Sequence, residues 1–89
     1  MTGLRYFASG GEIIDATGRQ IPLAEARANI GLWSYKALEA DALGLRHLAR
    51  LYAAPTAALI AAVDECIRWR KAAGYARPED ADGPIGARR

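Results

Sequence analysis

Residues 23–73 form a run of 51 positions interrupted by a single proline, Pro55, and two glycines, Gly31 and Gly44. No other feature limits the possible folds of this chain as strongly. Ala24-Glu25-Ala26-Arg27-Ala28 and Lys36-Ala37-Leu38-Glu39-Ala40 are strong helix formers, and Leu23, Ile30, Ala37, Gly44 and Leu51 recur every seven residues. Trp33 and Leu38, then Leu45, Leu48 and Tyr52, broaden that stripe. A proline disfavours helix at the residue before it and suits the first turn of a new helix, so the break is placed at Ala53-Ala54-Pro55-Thr56. Two helices are expected, over about 24–53 and 56–73. Leu59, Val63, Ile67 and Arg70 follow one another at three or four along the second, flanked by Ile60, Cys66 and Trp69. Gly74 is placed to cap it. Each interior glycine costs about 1 kcal/mol against alanine, so Gly31 and Gly44 mark either a break or a close helix contact.

The segment before this run reads as β. Arg5-Tyr6-Phe7-Ala8 and Glu12-Ile13-Ile14-Asp15 flank Ser9-Gly10-Gly11, a hairpin signal. Asp15-Ala16-Thr17-Gly18 has the residues of a type I turn, after which Arg19–Leu23 returns as a third strand ended by Pro22. A short meander over about 4–23 is the favoured reading; the alternative is one hairpin of Glu12–Asp15 with Arg19–Pro22. Beyond Tyr75 the chain has one large apolar residue, Ile85, and no period, so 76–89 is expected to be a disordered tail. The fold class is therefore α+β, one domain over 1–75: a β-hairpin or meander followed by an antiparallel helical hairpin.

Composition narrows the function classes. Of 89 residues 20 are alanine, leaving 26 larger apolar side chains, enough for about one small core. An enzyme acting alone is therefore not expected, and self-association is a common way to gain buried surface. The formal net charge is only +2, which argues against a general polyanion binder. Ten of the twelve basic residues are arginine, a bias that fits a GC-rich bacterial or phage genome. The longest charge-free apolar stretch, Leu51–Val63, is too short to span a bilayer. With no secretory pattern and one cysteine, a cytoplasmic location is expected.

Catalytic chemistry finds few residues to use. His47 is the only histidine, and Cys66 has Val63 and Ile67 as apolar neighbours while the adjacent Asp64 and Glu65 are not credible bases for a thiol, so it reads as a small buried hydrophobe. One histidine and one cysteine cannot furnish a metal site. Asp64-Glu65 and Glu39–Asp41 read as solvated faces, and Gly10-Gly11 lacks the context of a phosphate loop. No catalytic, cofactor-binding or metal-binding residue is assigned, and no cofactor is expected.

Two features read as binding elements. Trp69 lies among Arg68, Arg70 and Lys71, with Tyr75 just beyond, and such residues dominate protein-interface anchors. This is the expected surface for a protein partner. The second is residues 45–66: with Leu48 and Ala49 inside, Ala53 at the turn and Leu59 as anchor, its spacing resembles the helix-turn-helix of bacterial repressors. The resemblance implies DNA binding with Arg46, Arg50, Arg68 and Arg70 on phosphates. It departs from the motif at Ala53, where glycine is usual, and the second helix offers no base-reading donor before Arg68. The leading expectation is accordingly a small non-enzymatic interaction protein acting through protein–protein contacts as a homodimer. The alternative is a small DNA-binding regulator using 45–66. Packing and dimerisation are assigned chiefly to Trp33, Leu38, Leu45, Tyr52, Leu59, Val63 and Ile67.

Overall fold

Three strands precede two helices in the computed structural model, which describes residues 5–75 and Arg77. The expected tail over 76–89 thus lies outside the described residues, Arg77 aside. Strands β1 (Tyr6–Ser9), β2 (Glu12–Asp15) and β3 (Gln20–Ile21) form an antiparallel sheet in that order. Tyr6 pairs with Asp15 and Ser9 with Glu12, so the β1–β2 loop is only Gly10-Gly11. Both glycines have positive φ, 59° and 81°, which a two-residue type I′ hairpin requires and L side chains resist. The meander, rather than the single hairpin, is the structure that forms.

The second turn is built around one carboxylate. Asp15 Oδ1 accepts hydrogen bonds from the Thr17 amide, the Thr17 hydroxyl and the Arg19 amide. Hydrogen bonds to the ionised form, the Thr17 hydroxyl foremost, hold the Asp15 carboxyl below its ordinary value. Arg19 also donates to Glu25 in the first turn of the following helix, tying turn to helix. Register then sets Ile13 opposite Ile21, both buried on one face of the sheet.

Helix α1 (Leu23–Ala42) begins directly after Pro22, and Glu25 sits near its positive end. Helix α2 (Arg46–Ala72) returns after a three-residue link. Both helices stop by one device. Gly44, at φ 77°, donates to the Asp41 carbonyl while Leu45 donates to Ala40. Gly74, at φ 101°, donates to Lys71 while Tyr75 donates to Arg70. These are Schellman caps, each with glycine where the chain turns left-handed.

The helix boundary therefore differs from the expectation. The break falls at Leu43-Gly44-Leu45, and Pro55 lies inside α2, its tenth residue. Proline removes one amide donor there, to the carbonyl of Leu51. Next to it, Thr56 Oγ1 donates to the Tyr52 carbonyl at 2.7 Å, adding a side-chain bond to the neighbouring turn. Pro55 and Thr56 are both buried, so packing offsets part of the helix cost. A glycine that can adopt positive φ and close a Schellman cap ended the helix; a proline that packs into the interior did not.

The core lies between the sheet and the helix pair. Ile13 and Ile21 meet Leu23 and Ala26 of α1 and Leu59, Ala62, Val63 and Cys66 of α2. Tyr6, Ile30, Trp33 and Ile67 close its edges, and the Tyr6 and Trp33 rings are 6.3 Å apart at a tilt. Burial and the nearby Asp15 carboxylate both raise the Tyr6 phenol above its ordinary value.

Candidate interaction surfaces

The C-terminal end of α2 is where the hairpin turn docks. Gly11 is buried, and its carbonyl accepts both the Cys66 thiol at 3.1 Å and Arg70 Nε at 2.7 Å. The Trp69 ring lies so close that a β-carbon on Gly11 would stand 2.4 Å from its Cε3. Gly11 is therefore needed twice, for its positive φ and for its missing side chain. The buried small-residue reading of Cys66 agrees with its complete burial.

Arg70 requires a correction. Expected on an interaction surface, and alternatively on DNA phosphate, it is 1% exposed and holds the hairpin turn. The signal was in the sequence: Arg70 lies four residues beyond Cys66 and seven beyond Val63, on the buried stripe. An arginine stem can fill such a position while its guanidinium bonds a carbonyl. Of the other residues assigned to this surface, Trp69 is about half exposed, and Arg68, Lys71 and Tyr75 are exposed. Arg68 is paired with Glu65 at 3.0 Å.

The helix-turn-helix geometry does not form. Residues 46–72 are one helix, so Ala53 is helical and no recognition helix starts at Thr56. Arg46, Arg50 and Arg68 remain exposed along this helix, with Arg50 and Arg68 about 27 Å apart at 1.5 Å per residue. His47 and Cys66 are separated by about 28 Å on the same rod. Among the described residues no cluster of three or more His, Cys, Asp or Glu is placed to hold a metal ion. No helix among them is long and apolar enough to cross a membrane.

Two apolar surfaces are laid open instead, each including at least one residue assigned to packing and dimerisation. At the corner between the helices, Leu43, Leu45, Leu48 and Tyr52 line a concavity of about 220 Å³ with Lys36, Glu39 and Ala40. Leu43, Leu45 and Leu48 are exposed there, as is Leu51 nearby. Leu45 was assigned to packing and dimerisation; it is not packed inside the hairpin, because the sheet does not extend this far along α2. The second surface is a groove of about 420 Å³ between α1 and α2, lined by Ser34, Ala37, Leu38, Ala53, Thr56, Ala57 and Ile60. Leu38, assigned to packing and dimerisation, is 70% exposed on its wall. Trp33, Tyr52 and Ile67 are half-buried, and Leu59 and Val63 are buried as expected. No family model, curated protein or solved structure matches this chain.

Proposed function

We propose that this chain is a small non-enzymatic binding protein that acts through protein–protein contacts and as a homodimer. The observation that carries the reading is the exposed leucine cluster Leu43, Leu45, Leu48 and Leu51 at the helix corner. Contiguous exposed apolar side chains on a water-facing surface mark an interaction site. The half-exposed Trp69, with Arg68, Lys71 and Tyr75, supplies interface-type residues at the opposite end of α2. In support of a non-catalytic role, His47 and Cys66 sit too far apart within one chain to share a site. A buried thiol and the arginine-rich composition support a cytoplasmic, bacterial or phage protein.

The test has two arms. Sedimentation equilibrium of the full chain from micromolar to millimolar concentration is expected to show a monomer–dimer equilibrium; a strict monomer throughout overturns self-association. Affinity capture from bacterial lysate, with and without nuclease, is expected to retain a protein that Leu48→Glu no longer retains. Capture that is lost with nuclease would favour the DNA-binding alternative, for which the exposed Arg46, Arg50 and Arg68 remain available.

A further inference from the structure

The groove between α1 and α2 carries a pattern that is complementary to itself. Arg50, Ala57 and Asp64 are spaced by seven residues, two turns, and therefore lie along one line of α2. That line borders the groove, because Arg50 lies in its extension with Asp41, Arg46 and Ala49, and Ala57 and Ile60 line it. All three residues are exposed. Among the described residues neither Arg50 nor Asp64 has an ion-pair partner within the chain.

We propose that a second copy of this chain occupies the groove, its α2 antiparallel to the first, with the two-fold axis at Ala57. This rests on the self-association put forward above and names the surface that performs it. Reversal about Ala57 sets each Arg50 opposite the second copy's Asp64, so one charge pattern makes two ion pairs. It also sets each Ile60 against the second copy's Ala54, next to Ala53, a large side chain over small ones. Small residues at 53, 54, 57 and 61 let the two backbones approach, while Leu38 walls the groove. At the ends of the pairing Arg46 comes opposite the second copy's Arg68; Glu65, already 3.0 Å from Arg68, offsets that repulsion. This pairing leaves the corner leucines uncovered, and they stay available to a different protein.

Charge reversal tests the pairing. Arg50→Glu and Asp64→Arg each turn two attractions into two repulsions, and each is expected to weaken the dimer by about tenfold or more in sedimentation equilibrium. The double variant restores the opposite signs and is expected to return to within about threefold of wild type. Ala57→Cys, at the axis, is expected to form a disulfide-linked dimer under mild oxidation, whereas Leu48→Cys at the corner is not. Circular dichroism is the control that checks whether the exposed substitutions leave the helices intact. A wild-type dimer unmoved by either single reversal overturns the α2 pairing and leaves self-association standing. A wild-type monomer at every concentration overturns both.

Discussion

The two halves of α2 carry similar apolar stripes and meet opposite fates. From Pro55 to Arg70, residues 55, 56, 59, 62, 63, 66 and 70 are buried. From Arg46 to Ala54 none is, although Leu48, Leu51 and Tyr52 continue the same faces. The difference is the sheet. Its strands have four, four and two residues, spanning at most about 14 Å, while the helix runs about 40 Å. The hairpin turn is fastened near the far end of α2 by Gly11, so the sheet covers the C-terminal half alone. Amphipathicity thus states which face can be buried, while the length and anchoring of the neighbouring layer decide how much of it is.

Leu59→Ala in the covered half should show the largest effect, a loss of about 2–5 kcal/mol in chemical denaturation, because Leu59 has no exposed surface. The anchor itself comes next. Gly11→Ala is expected to cost about 2–4 kcal/mol, combining an unfavourable positive φ with the clash against Trp69. Gly10→Ala, with nothing within 4 Å of the new carbon, should cost only about 1–2 kcal/mol. Equal losses at the two glycines would mean that the hairpin turn does not dock on α2.

At the junction of the halves, Pro55→Ala restores a donor to the Leu51 carbonyl. It is expected to raise stability by about 1–2 kcal/mol, the helix gain less the lost packing of a buried ring. In the uncovered half Leu48→Ser should change unfolding free energy by less than about 0.5 kcal/mol. A loss comparable to that at Leu59 would show that the corner is covered in solution.

Acid titration reaches the second turn of the sheet. The folded Asp15 carboxyl lies below its ordinary value of 3.8, so its contribution is complete above that value and is lost as pH falls through the lower, folded one. Asp15→Asn should therefore flatten the decline in wild-type stability below about pH 4, measured by urea denaturation at successive pH values. An unchanged acid limb would remove the turn's carboxylate from the account.

Much of this architecture was legible from local chemistry. Gly10-Gly11 between two apolar segments can make a tight hairpin, Asp15 three residues before Gly18 a turn, and Gly74 after a basic last turn a helix stop. Each is decided by the residues concerned and their near neighbours, as such turns and caps are. The candidate surfaces were much less legible. Trp69 and its exposed basic neighbours were found, but the corner and the groove appear only once α1 is laid beside α2.

By itself the sequence determined the order of elements, the antiparallel helix pair and the interior stripe of Leu59, Val63 and Cys66, and it favoured the meander over a single hairpin. Tertiary structure decided three matters that local pattern could not. Pro55 stays within a helix because burial and continuing helix on both sides offset one missing bond, while Gly44 ends one because its backbone can take the left-handed turn. Arg70 is buried because a carbonyl from a turn 59 residues earlier stands within 2.7 Å of its Nε. The leucines of the corner stay exposed because short strands anchored at the far end of α2 leave them no partner. Periodicity is a property of one segment; burial depends on what a second segment can reach.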